Sequence, residues 1–225
     1  MAKKIKKTKS NGLTDAQKKL SLHLFDIGAV KFGEFKLKLH DTHPKAPLSP
    51  IYIDLRVLRR TPKAKAAAIK VYAELVKPLK FDLIADIPTA ATPLASSLSD
   101  KLKIGMITPR ADKKTHGSGA KVDGMLKTDK GKMAVLIDDL VTRADSKLEA
   151  AKTLRDAGVK VKDVVVLIDR EQGGATQMAK NKLKLHSAFT MQQMLDFFLK
   201  VKRLSKKEYD DIQQRIENLN KYLKS

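Results

Sequence analysis

The sequence predicts an α/β fold with a central parallel sheet flanked by helices, and two observations carry that expectation. The first is a rhythm: residues 134–137 form a short apolar run, 146–157 have helical spacing and stop at Gly158, and 163–168 (DVVVLI) form a second apolar run. Strands that are apolar on both faces and joined by helices build parallel sheets with right-handed crossovers, covered on both sides. The second is the position of the polar groups: Asp138 and Asp139 follow one run, Asp169 and Arg170 follow the next, and the loop 86–92 follows a third. Ligands of open parallel sheets bind beyond the carboxyl ends of the strands. These three segments, distant in sequence, therefore share one edge.

Residues 1–12 (MAKKIKKTKSNG) read as a basic disordered tail, without the apolar segment of a secretory signal. Thr14 caps a helix whose apolar positions are Leu20, Leu22, Leu24, Phe25 and Ile27. Residues 31–38 alternate, with Phe35 and Leu37 on one side, and predict a strand; 39–48 are loop, and the strand pattern resumes at 51–56 (IYIDLR). Phe35 and Tyr52 are assigned to the core. An alanine-rich helix over 63–76 ends before Pro78. A strand at 81–88, a helix at 93–102 and a strand at 104–108 follow. Residues 109–132 carry little apolar periodicity and much Gly, Lys and Asp, so a long mobile loop is expected there. From 191 to 223 the pattern is mostly helical.

At 225 residues the chain suits one α/β domain, and with no cysteine it excludes disulfides and thiolate metal sites and points to a reducing, cytoplasmic setting. No apolar run is long enough to cross a bilayer. The 46 basic and 25 acidic residues give a net charge of +21, which favours anionic partners. The lysines are dispersed, arginine does not cluster and aromatics are few, so the expectation for nucleic acid is weak, non-specific binding.

Several stretches in order resemble the type I phosphoribosyltransferases, and among them the orotate phosphoribosyltransferase family in its UMP synthase form. They are KFGEFKLK (31–38), SPIYIDLR (49–56), IPTAATPLA (87–95), RADKKTHG (110–117), VLIDDLVT (135–142), VLIDREQGG (166–174) and LHSAFTMQQML (185–195). The resemblance implies a phosphoribosyltransferase domain over 13–225, with a small hood from about 13–50 and the helices of about 191–223. It implies transfer of phosphoribosyl from phosphoribosyl pyrophosphate (PRPP) to orotate, with Mg²⁺ held mainly through PRPP and no protein metal site. By matching position, Asp138 and Asp139 would hold the ribose, Thr142 would lie beside orotate, Ser146 would belong to the 5′-phosphate turn, Arg170 would face the orotate carboxylate, and Lys38 would reach the pyrophosphate. Arg110, Lys114 and His116 would belong to a loop that closes over the neighbouring subunit's site, which implies a homodimer. Taken singly, Arg170 could as well pair with Asp169 or Glu171, and His116 could be a solvated residue.

The family pattern is broken at several phosphate contacts. Ala144 stands for a glycine and Asp145 for a hydroxyl in the phosphate turn, Ala111 for a lysine in the loop, and Asp86 for a glycine before the pyrophosphate loop. A carboxylate facing a phosphate is repulsive, with Arg143 partly offsetting it, and alanine resists the positive φ such a turn can require. Two functions from different classes therefore stand: an orotate phosphoribosyltransferase, or a catalytically impaired protein of that fold acting as a binding or regulatory module through its basic surface.

Overall fold

The computed structural model describes residues 12–37, 39–110 and 121–222. The expected basic tail, Lys38, and the loop residues Ala111, Lys114 and His116 lie almost wholly or wholly outside them.

Five strands build the parallel sheet that the sequence predicts: β3 (Leu83–Asp86), β4 (Met106–Pro109), β6 (Met133–Ile137), β8 (Lys160–Asp169) and β9 (Lys184–Thr190), in the order β4-β3-β6-β8-β9. A two-residue strand, β7 (Leu140–Val141), resumes the line of β6 against the far end of β8. Between β6 and β7 lie Asp138 and Asp139. Successive residues of the central strands enter opposite cores: Val135 and Ile137 pack with Val165 and Leu167, whereas Ala134 and Leu136 pack with Val164 and Val166. The first core is covered by α3 (Pro62–Val76) and α4 (Thr92–Leu102), the second by α5 (Asp145–Asp156) and α6 (Gly174–Lys180).

Helix α1 (Asp15–Asp26) begins as expected, with Thr14 and Gln17 forming a reciprocal cap, and packs on α3. Its Gln17 side chain donates to the Ala188 carbonyl at 2.6 Å. Strand β1 (Val30–Phe35) pairs antiparallel with β2 (Ser49–Ile53) as a separate ribbon, with the short α2 (Leu39–Thr42) between them. The C-terminal helices are α7 (Met191–Lys200) and α8 (Lys206–Tyr222). Phe25, Phe32 and Phe198 meet edge to face or tilted at 5.1–6.4 Å, joining α1, β1 and α7. Arg203 pairs with Asp26 at 2.9 Å, and Arg215 of α8 donates to the Gly33 carbonyl at 2.9 Å.

Three expectations are corrected. The strand read at 51–56 stops at Ile53, because Asp54 accepts the Arg56 N–H at 3.1 Å and opens a 3-10 turn over Leu55–Arg60. Phe35 and Tyr52 are half-buried and pack on each other at 5.5 Å, outside both cores. The expected long loop holds regular structure within its described residues: β5 (Val122–Asp123) pairs antiparallel with the end of β4, and a 3-10 turn follows at Lys127–Asp129.

Candidate active site

The sequence IDDLV breaks a strand without ending it. The Asp138 N–H donates to the Val165 carbonyl at 3.0 Å and the Leu167 N–H donates to the Asp139 carbonyl at 2.9 Å, so the acidic pair stays on the β8 ladder. The two carboxylates face different surroundings. Asp138 is buried, with Oδ1 accepting the Asp139 N–H at 2.8 Å and Oδ2 ion-paired with Lys147, the third residue of α5; their side chains are only 6 % and 7 % exposed. The fully buried Tyr72 donates its hydroxyl to the Asp138 carbonyl at 2.6 Å, and burial, reinforced by both carboxylates, holds its phenol well above the usual range. Asp139 is half-buried and accepts the Leu140 N–H at 2.7 Å. Burial first, and then the charge of Asp138, push its carboxyl up to about 7.

Thr142 and the next residues turn into α5. Ala144 is buried at φ −92°, ψ 6°, and its N–H donates to Gln177 Oε1 at 2.7 Å. This corrects the expectation that alanine strains the turn, since no positive φ is used there. Asp145 is exposed at the first position of α5 and lies 3.6 Å from Arg143, the compensation the sequence suggested. The wall behind the turn is Gly174, whose N–H donates to the Thr142 carbonyl at 3.1 Å. A Cβ there would stand 2.5 Å from Val141 Cγ2, so only glycine lets α6 approach this closely.

Asp86 does not face a phosphate. It is fully buried, and its carboxylate accepts the hydroxyls of Thr108, at 2.5 Å, and of Thr92 at the start of α4. Above it runs the loop 87–91, where the Thr89 carbonyl accepts a guanidinium N–H of Arg59. The reading of Asp86 as a repulsive charge is corrected: the residue ties β3, β4 and α4 together beneath the loop.

Arg170 follows β8, and its N–H donates to the Val141 carbonyl at 2.9 Å, next to Thr142. Its guanidinium donates to the buried Ser49 Oγ at 3.3 Å, its Nε is buried without a partner, and burial lowers its pKa to about 10. Gln172 Oε1 is likewise buried and unpartnered. The alternative pairing with Asp169 or Glu171 is not made: Asp169 accepts the Glu171 N–H at 2.8 Å, and Glu171 accepts the Gln192 N–H at 3.0 Å. A half-buried cation whose Nε is buried and unpartnered, with no carboxylate partner among the described residues, suits an incoming anion.

Arg110 pairs with Asp123 at 3.0 Å, and its N–H donates to the Lys121 carbonyl at 2.9 Å, at the base of the 111–120 segment. With Ser146, Thr108 and Glu149 it lines a cavity of about 440 Å³. The structure thus brings Asp138, Asp139, Thr142 and Arg170 along one edge, and Arg110 and Ser146 to a neighbouring cavity. Lys38, Lys114 and His116 are outside the described residues. Sequence reasoning missed Lys147, Ser49 and Gln172. Among the described residues, no group of three His, Asp or Glu side chains is placed to hold a metal ion.

Residues 57–193, more than half of the chain, match the phosphoribosyl transferase domain family. The orotate phosphoribosyltransferase of Caenorhabditis elegans is 32% identical over 176 residues, 77% of this chain and 74% of that protein. The chain belongs to the orotate phosphoribosyltransferase family. The bifunctional enzyme PyrF/PyrE of Nostoc is 32% identical over 190 residues, 84% of this chain but 38% of that protein. The structure of Leishmania donovani UMP synthase superposes with a TM-score of 0.78 and 33% identity, covering 90% of this chain and 42% of that one. The chain therefore spans less than half the length of these two relatives.

Proposed function

We propose that the protein transfers phosphoribosyl from PRPP to orotate, giving orotidine 5′-monophosphate and pyrophosphate. The observation that carries this reading is the shared edge: a half-buried carboxylate, the Thr142 turn at the start of α5, and the Arg170 guanidinium with its unpartnered Nε. In the transfer, the C1′–oxygen bond to pyrophosphate breaks, a bond from C1′ to the orotate ring nitrogen forms, and the nitrogen's proton is released. Positive character on the ribose is favoured by Asp139, with Asp138 fixing its place. The first turn of α5 offers backbone N–H groups to the 5′-phosphate, Thr142 lies beside orotate, and Arg170 takes its carboxylate. Lys38 for the pyrophosphate, and Arg110, Lys114 and His116 for a loop closing over a partner subunit, rest on the resemblance. Mg²⁺ would arrive bound to PRPP and neutralise the pyrophosphate. A homodimer in the cytoplasm completes the reading, with nucleic acid bound only weakly and without sequence preference.

Asp145 favours the second reading, a binding module with impaired chemistry, because it adds an exposed negative charge to the first turn of α5, the helix end proposed for the 5′-phosphate. The loss of orotate absorbance with PRPP and Mg²⁺ separates the two. Turnover by the native protein that disappears in Arg170→Ala and Asp139→Asn supports the transferase. Tight PRPP binding by calorimetry, without turnover under any condition, supports the module.

A further inference from the structure

Lys147 is in an expensive place. A lysine buried in the first turn of a helix opposes the helix dipole and gives up its hydration, and an alkyl side chain would fill the same space at lower cost. Its Nζ lies 3.5 Å from Ser146 Oγ, and its ion-pair partner is Asp138. Asp138 is in turn held on every side: Lys147 from α5 on Oδ2, the Asp139 N–H on Oδ1, and the Tyr72 hydroxyl from α3 on its carbonyl. Among the described residues, the charged and titratable groups that face it are thus the Lys147 ammonium, the Tyr72 phenol and the neighbouring Asp139 carboxylate.

We propose that Lys147 is a positioning residue for the acidic pair: its ammonium is the internal counter-ion that holds the Asp138 carboxylate turned away from the substrate edge, leaving Asp139 to meet the ribose. The two carboxylates would thus have divided roles, one structural and one facing substrate. The assignment of Asp139 to ribose rests on the proposed transfer, whereas the electrostatic division of the pair does not. With Lys147 present, the three groups carry a net charge of −1 when both aspartates are ionised. Without it, two adjacent carboxylates, one of them buried, would carry −2, and the pair would hold its proton to a higher pH than in the native protein.

The test is a pH titration of the aspartate side-chain carboxyl carbons by NMR, with Asp139 assigned by difference from Asp139→Asn, so that the result does not depend on turnover. In Lys147→Met the upper apparent pKa of the pair should rise by at least about one unit, a tenfold change in proton affinity, while Lys147→Arg should stay close to the native protein. Comparing Asp138→Asn with Asp138→Asn/Lys147→Met reads the ammonium's effect on Asp139 without a buried unpaired carboxylate, and the single variant should titrate lower. This second comparison decides the matter if Lys147→Met does not fold. If catalysis follows, the acid limb of the kcat/KM profile in Lys147→Met moves up with the NMR value, a displacement that loss of packing alone would not give. Unchanged titration in Lys147→Met, or equal titration of Asp138→Asn and the double variant, overturns the proposal. An inactive native protein whose titrations behave as expected would instead count against the transferase reading alone.

Discussion

The carboxyl of Asp139 sits near pH 7 instead of its ordinary 3.8, because burial and its neighbour penalise the anion. A folded state that holds a proton more tightly than the unfolded chain is favoured fully below the ordinary value and loses that advantage as pH rises through about 7. Asp139→Asn should therefore have a Tm near that of the native protein at pH 4, a gap in its favour that widens up to about pH 7, and a constant gap above; thermal scans across pH check this. The same variant should lose turnover by roughly 10² or more, as is typical when one preorganised charge at the reacting centre is removed. Asp145 calls for a different expectation. Exposed and already near Arg143, it repels a phosphate only through solvent, so Asp145→Thr should tighten PRPP binding a few-fold by calorimetry and lower stability by no more than about 1 kcal/mol through the lost helix-end charge. Residues of this kind were legible in the sequence as departures, but their orientation was not. Asp86 and Asp145 are both acids beside loops that the family resemblance assigns to phosphate; one is turned inward onto two hydroxyls and the other is solvated. Lys147 went unnoticed because a lysine early in a polar helix reads as surface, and only the fold places Asp138 beneath it.

Among the elements, Asp86 is the knot between β3, β4 and α4. Asp86→Gly, which restores the residue type usual in the family, should fail to improve PRPP affinity and should cost about 2 kcal/mol or more in urea unfolding, since two hydroxyls lose a charged acceptor. The strands at β3, β6 and β8 and the helices α3 and α5 stand close to where periodicity put them, because both faces of those strands are apolar and each helix has a clear stop. β9 and α6 were not read as elements: β9 begins with the partly exposed Lys184, His186 and Ser187 around a single leucine, and α6 is a short helix led by glycine. The 3-10 turn after β2 escaped because IYIDLR keeps the alternation of a strand while Asp54 bonds locally and ends it.

For the whole molecule, the charge of +21 has no single focus. Lys160, Lys162, Lys182 and Lys184 line a groove with Arg155 at the end of the sheet remote from the acidic pair, and others are scattered over the helices. Binding to DNA or RNA should therefore be weak, insensitive to sequence, and lost steeply between 50 and 200 mM salt, as fluorescence anisotropy would report; tight, salt-resistant binding to one sequence would contradict this. The two ends of the described chain are fastened to each other as well as to the sheet. Phe25 and Phe32 close on Phe198, Asp26 holds Arg203, and Gly33 takes Arg215. Helices α1, α7 and α8 and strand β1 thus clasp one another over the core that they share with one face of the sheet. In native-state hydrogen exchange, the amides of α1, β1, α7 and α8 should open together, at a common free energy below that of β3, β6 and β8. A single destabilising change such as Phe198→Ala should then lower protection at residue 20 as much as at residue 212 while leaving residue 136 unmoved.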